Sequence, residues 1–166
     1  MTSGRLRTRI SWRAKLERVR EAKLVDVPEA MRKRLGGGTM LIPRPLDVDA
    51  LIRQTPKGLL VTQSRIREAL ARAFGADVTC PITTGIFVRI AAECAEEELE
   101  AGARRVTPYW RVVRDDGALL EKLPGGAERQ AERLRAEGHD VVEIGSKRRV
   151  RLSDDVLAEL SFRRGS

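Results

Sequence analysis

Residues 62–100 read TQSRIREALARAFGADVTCPITTGIFVRIAAECAEEELE, and this stretch decides the fold. Ile66, Leu70 and Phe74 recur at i, i+4 and i+8, the apolar face of an amphipathic helix. Thr62 and Ser64 are both candidate N-caps, because a short hydroxyl side chain accepts from a backbone N–H that the first turn leaves unpaired. Gly75 ends the helix, since glycine adopts a left-handed backbone without a Cβ clash. After the loop ADVTCP, the pattern predicts a second helix from Thr83 or Thr84 to Glu100. Two helices joined by a short glycine-containing turn, the second opening on small and hydroxyl residues, form a helix-turn-helix pattern. Arg89 is the one base on that second helix, which ends in the acids Glu93, Glu96, Glu97, Glu98 and Glu100.

Working outward towards the C-terminus, Val106–Val113 brackets Thr107-Pro108-Tyr109-Trp110-Arg111, and Asp115-Asp116-Gly117 reads as a turn. Pro124-Gly125-Gly126 introduces the helix AERQAERLRAEG, closed at Gly138. Val141–Ile144 and Arg149–Leu152 alternate on either side of Gly145-Ser146-Lys147, a β-hairpin signal. Asp154 or Asp155 opens a final short helix. Towards the N-terminus, Trp12, Leu16 and Val19 sit at helical spacing over 11–24, with Ser11 as the candidate cap. Pro28 opens PEAMRKRL, and Gly36-Gly37-Gly38 ends it at the best boundary in the chain. Pro43 and Pro45 keep the next stretch extended, Asp47 caps VDALIRQ, and Pro56-Lys57-Gly58 turns into a short apolar strand at Leu59–Val61.

The expected fold class is α+β, mainly helical: a winged helix-turn-helix over 39–152, a basic helical N-terminal extension over 1–38, and a short C-terminal helix or tail over 153–166. A chain of 166 residues suits one domain with a short appendage.

Composition narrows the function. The net charge is +8, and residues 1–35 hold eleven Lys/Arg against four acids, leaving only +1 for the remainder. A basic segment attracts phosphate-rich partners through counterion release; a solvated helix surface is the bland alternative. No apolar run approaches the roughly 18–20 residues of a membrane helix, and the basic N-terminus lacks the apolar core of a secretory signal. The expectation is a cytoplasmic protein, nucleoid-associated when DNA-bound, with no membrane partner. Cys80, Cys94 and His139 are too few and too scattered for a zinc site, so no metal is expected. Cys94 lies among acids that oppose thiolate formation. Phosphate-loop, dinucleotide and serine-hydrolase signatures are absent, so neither cofactor nor enzymatic activity is expected.

The order PKG, VTQ, helix-turn-helix, TPYWRVV, DDG, PGG and EGH over residues 45–152 resembles the C-terminal domain of the O6-alkylguanine-DNA alkyltransferases. It is similar also to their non-enzymatic relatives, the alkyltransferase-like proteins. The enzymes carry Pro-Cys-His-Arg where this chain has Pro108-Tyr109-Trp110-Arg111. The resemblance therefore places Tyr109 at the nucleophile position, Trp110 at the histidine and Glu137 at its carboxylate partner. A phenol with a pKa near 10 is no substitute for a thiolate, and an indole donates a hydrogen bond but takes no proton. Suicidal alkyl transfer is not expected. The implied function is DNA binding with sensing of alkylated or damaged bases, with double-stranded DNA and a DNA-repair protein as candidate partners. The alternative is a protein-interaction module that kept the fold and lost base flipping.

The chain also departs from the family around the nucleophile. The base-replacing Arg of the recognition helix falls on Thr83 or Thr84, the phosphate-rotating Tyr on Gln63, and the pocket Ser on Pro124. The hinge Asn has no counterpart in Gly102–Arg105. Candidate DNA contacts are Thr83, Thr84, Arg89, Tyr109, Arg111, Arg114, Lys147, Arg148 and Arg149; candidate pocket residues are Tyr109, Trp110, Pro124 and Glu137. Tyr109 and Trp110 either line a residual base pocket or fill the void of a dead site, with Trp110 donating to Glu137. Arg111 and Arg114 either reach phosphates or pair with nearby acids. The acidic run is expected near the DNA face.

Overall fold

The computed structural model describes residues 11–163. Helix α1 (Trp12–Glu17) is capped by Ser11, whose hydroxyl accepts from Ala14 N. It is followed by β1 (Lys23–Asp26), α2 (Glu29–Leu35), β2 (Thr39–Ile42) and α3 (Pro45–Arg53). The helix-turn-helix comprises α4 (Gln63–Phe74) and α5 (Pro81–Glu100), with β3 (Val61–Thr62) before it and β4 (Val78–Thr79) inside its turn. Thr62 caps α4 by accepting from Arg65 N, and Gly75 closes it at φ +67°. Beyond lie β5 (Val112–Val113), α6 (Gly126–Ala136) and the hairpin β6 (Val141–Ile144) and β7 (Lys147–Val150).

Helix α5 runs through the centre. Its buried stripe Val88, Ala91, Ala92 and Ala95 packs with Leu16 of α1, Val48, Leu51 and Ile52 of α3, and Ile66 and Leu70 of α4. Alanines on this stripe let the neighbouring helices approach closely. β2 pairs antiparallel with β1 (Lys23 opposite Ile42) and parallel with β4 (Met40 opposite Val78). β3 pairs parallel with β5 (Val61 opposite Val112), which ties the start of α4 to the Tyr109–Arg111 turn. A second core of Leu60, Val113, Leu119, Ala131, Leu134, Val141 and Val150 joins α6 to the hairpin wing. Residues 117–119 extend that wing: Val150 N donates to Gly117 O at 2.9 Å and Leu119 N to Arg148 O at 3.0 Å. Gly117 sits at φ +86°, and a Cβ there would lie 2.4 Å from Val150 O.

Several local expectations are corrected. The helix expected over 11–24 stops at Glu17, and 23–26 form a strand. The reason is long-range: the backbone of 23–26 pairs along β2, and Val27 packs with Met40 and Cys80, contacts that outweigh local helix propensity. The triple glycine does not separate packing units, because β1 and β2 pair across it and Leu16 is 1% exposed in the main core. Arg5, Arg7 and Arg9 of the basic segment lie outside the described residues. Asp47 is not the cap of α3 but its third residue, accepting from Arg44 N at 2.9 Å. Helix α5 begins at Pro81, ahead of Thr83 and Thr84. The last expected helix is a three-residue 3-10 turn, Asp154–Val156, and the segment after it packs back through a stacked Phe74–Phe162 pair.

Candidate nucleic-acid interface and the filled pocket

Tyr109 opens a 3-10 turn after Pro108 and is fully buried. Its hydroxyl donates to the carboxylate of Glu96, three-quarters of the way along α5. Glu96 also accepts from Arg133 at 2.7 Å and from Arg129 at 3.2 Å, both on α6. The Arg133 guanidinium lies 4.8 Å from the Trp110 ring centre, and the Trp110 ring meets Tyr109 edge-on at 5.4 Å. Burial, and then the neighbouring Glu96 carboxylate, push the Tyr109 phenol well above its ordinary range. The phenol serves Glu96 as a hydrogen-bond donor.

Glu96 is the residue that sequence reasoning misplaced. It is 8% exposed and joins α5 to α6. The available signal was helical phase, because position 96 continues the buried row 88, 92, 96 at i+4 steps. Of the other acids in the run, Glu98 meets Arg13 of α1 at 3.5 Å and Glu93 lies 3.9 Å from Arg89, while Glu97 and Glu100 are exposed. Cys94, buried beside Glu98, has its thiol pushed up to about 11 by burial and by that carboxylate.

Trp110 Nε1 donates to Glu137 at 3.0 Å. Arg111 clamps the same carboxylate at 3.0 Å and 2.6 Å and donates to Thr55 O at 2.6 Å. Its side chain is 12% exposed, so it is corrected from a DNA contact to an internal pair. Burial alone would raise the Glu137 carboxyl, but hydrogen bonds from Arg111 and Trp110 outweigh it and hold the group below its usual value. Buried Gln130 fastens the turn, donating to Trp110 O at 3.1 Å and Val112 O at 2.7 Å while accepting from Leu120 N at 2.8 Å. Pro124 is half-buried, and its neighbour Leu123 is the residue packed in the core with Tyr109. Tyr109, Trp110 and Glu137 therefore come together as a filled centre. Tyr109 has no exposed surface from which to meet a partner as the structure stands.

Of the expected threonines of α5, Thr84 faces inward and Thr83 is half-buried. Thr84 is fully buried, donating to Cys80 O at 2.7 Å, and Thr83 turns back on the same oxygen at 3.3 Å. The exposed edge of α5 carries Ile82, Ile86 and Arg89 instead. Two clefts flank it. One, of about 410 Å³, is lined in part by Gln63, Ile82, Ile86, Arg89, Arg114 and Lys122. The other, of about 320 Å³, is lined in part by Arg34, Arg67, Ile82, Arg114 and Asp115. Arg114 is exposed and reaches both. A third cleft of about 600 Å³, between the wing and the 116–121 segment, is lined in part by Asp116, Glu143, Lys147 and Arg148. In it Arg148 pairs with Glu143 at 2.9 Å, and Arg149 pairs with Asp116 at 3.1 Å, so wing cations are partly neutralised within the chain. A fourth cleft, of about 500 Å³, lies over Glu96, Arg129 and Arg133.

Among the described residues no group of three or more His, Cys, Asp or Glu is placed to hold a metal ion, and no helix is long and apolar enough to cross a membrane.

No family model and no curated protein matches the sequence. Among solved structures the chain is similar to Schizosaccharomyces pombe Atl1, crystallised with damaged DNA containing O6-carboxymethylguanine. The match has a TM-score of 0.48 at 18% identity and covers 69% of this chain and 94% of that one.

Proposed function

We propose that this chain is a non-enzymatic DNA-binding protein of the alkyltransferase-like type. The observation that carries the reading is Tyr109. The framework that resembles the alkyltransferases is kept around it, yet the nucleophile position holds a buried phenol tied to Glu96. Neither thiol is placed as a substitute: Cys94 shares the core cluster but approaches Glu98 on α5 with its thiol pushed up by burial, and Cys80 packs with Val27 and Met40. What such a remodelled centre leaves intact is the surface of the helix-turn-helix, where five cations and two carboxylates line the clefts flanking α5.

The basic segment expected to hold phosphates divides in two. Arg34 at the end of α2 lines a cleft beside the start of α5. Arg13 of α1 pairs at the other end of α5, sixteen residues or about 24 Å along the helix from Ile82. DNA lying across the first turns of α5 would meet Arg34 and not Arg13.

Fluorescence anisotropy on short duplexes, with and without one O6-methylguanine and at two salt concentrations, tests the reading. Intact-protein mass spectrometry run in parallel reports transfer. The expected result is salt-sensitive binding to both duplexes and an unchanged protein mass. Tighter binding of the lesion would mean that the Tyr109–Glu96 pair yields to an extruded base. A gain of one methyl group, or no binding at low salt, overturns the proposal. Neutralising substitutions are the right perturbation, because deleting residues before 39 would remove Leu16 and β1 from the core.

A further inference from the structure

Ahead of the stretch 45–152 that carries the resemblance, β1, α2 and β2 form a small module of their own. Met31 and Leu35, at i and i+4 on α2, pack it over the strands with Val27, Met40 and Cys80. The module is fixed to the turn between α4 and α5. β2 pairs with β4 inside that turn, and Cys80, the residue before α5, donates its N–H to Leu41 O at 2.8 Å. Asp77 of the same turn accepts from Thr39 N at 2.9 Å and from the Thr39 hydroxyl at 3.2 Å. Gly38, at φ +99°, permits that approach, because a Cβ there would run into the Asp77 carboxylate. Strand pairing and these bonds hold α2 in a set position beside the start of α5.

The exposed side of α2 is cationic. Its acid, Glu29, stands in the first turn, and Arg32, Lys33 and Arg34 stand in the last. Bases at that end suit the helix dipole, and Arg32 also donates to Val27 O at 3.3 Å. The dipole does not account for where Arg34 lies. It lines the cleft of about 320 Å³ together with Arg67 of α4 and Arg114. Three guanidiniums around one cleft repel one another. The carboxylate in that cleft, Asp115, is already engaged, accepting from Ser64 N at 3.2 Å and from the Ser64 hydroxyl at 2.5 Å. Lys33, Arg34 and Arg114 have no carboxylate partner among the described residues. A cationic surface that runs unneutralised from one element onto the next suits a partner of continuous negative charge. We infer that the module of β1, α2 and β2 is a second duplex-contacting arm, which lays Lys33 and Arg34 on the phosphate backbone beside the helix-turn-helix. The inference rests on the DNA-binding reading and adds to it a contact element outside the helix-turn-helix. Adjacent residues leave a helix about 100° apart, so the two side chains serve two phosphates rather than one.

The test compares two double variants of the full chain that remove the same charge. One is Lys33→Gln/Arg34→Gln in the arm; the other is Arg13→Gln/Arg18→Gln in and just after α1, whose Arg13 pairs at the far end of α5. All four side chains are exposed, so the fold is kept, which thermal melting verifies. The probe is a short duplex without any lesion, read by anisotropy across a salt series. Each phosphate contact contributes about 0.9 to the slope of log affinity against log salt. The arm variant is expected to bind more weakly and to lose about 2 from that slope, while the α1 variant keeps the wild-type slope. An arm variant that loses no more slope than the α1 variant overturns the arm and leaves DNA binding standing, because any weakening then reflects bulk charge. Absence of any wild-type binding at low salt overturns DNA binding itself, and the arm with it.

Discussion

Glu96→Ala probes the filled centre most sharply. The substitution removes the acceptor shared by Tyr109, Arg133 and Arg129. Arg129 is 48% exposed, so losing its pair costs well under about 1 kcal/mol. Arg133 is 28% exposed and also stacks on Trp110, so solvent and the ring soften its loss. Tyr109 has no such relief. It has no solvent-accessible surface, and a buried hydroxyl without a partner costs about 1–3 kcal/mol. The sum is about 2–4 kcal/mol. For a domain of this size that lowers the Tm by roughly 5–15 °C, measured by calorimetry near neutral pH. Tyr109→Phe removes the orphan in advance, so Glu96→Ala in that background should cost about 1–2 kcal/mol less than in the wild type. A Tm within about 2 °C of wild type for Glu96→Ala, or a strictly additive double-mutant cycle, would refute the claim that Glu96 anchors Tyr109.

Two further outcomes follow from the same geometry. Gly117→Ala forces a Cβ to within 2.4 Å of Val150 O at a φ of +86°, and should destabilise the wing by about 2–4 kcal/mol, seen as lost hydrogen-exchange protection across β7. His139 is buried with Nε2 unpartnered, and burial holds its imidazole below the ordinary 6.5 despite the nearby Glu137 carboxylate. The unfolded chain then takes the proton first, so this contribution to stability is present above about pH 6.5 and is lost as the pH falls through and below it. His139→Gln should narrow the stability difference between about pH 7.5 and about pH 5.5 in urea titrations; an unchanged difference would refute it.

Elements carried by local signals were legible in the sequence. The i, i+4 row of α4, its threonine cap and terminal glycine, and the first wing strand appear where the residues predict them, while the second wing strand, expected over 149–152, starts at Lys147 because the turn closes on Gly145 and Ser146 alone. The strand at 23–26 was not legible, because its warrant is pairing with 39–42 across an intervening helix. Site residues fared less evenly for a related reason. A motif places Arg111 or Thr84 in the right segment but says nothing of which way the side chain points. Arg111 turns inward to Glu137, and Thr84 turns back to Cys80 O. The Trp110–Glu137 bond was legible because the two positions are coupled in the family that the chain resembles. The Tyr109–Glu96 bond has no such precedent in the motif. It emerges only when the phase of α5 brings one member of an acidic run under α6, where Arg129 and Arg133 wait. The remaining exposed edge of that helix is left to Ile82, Ile86 and Arg89, none a family signature.

The most direct measurement of the account is the salt dependence of duplex binding for the wild type and for Arg34→Gln/Arg89→Gln/Arg114→Gln. These arginines line the clefts beside α5 and none belongs to the filled centre. Each phosphate neutralised adds about 0.9 to the slope of log affinity against log salt. The triple variant is expected to bind more weakly and to lose about 2–3 from that slope while melting like the wild type. An unchanged slope, or a wild type that binds no duplex at low salt, would contradict it.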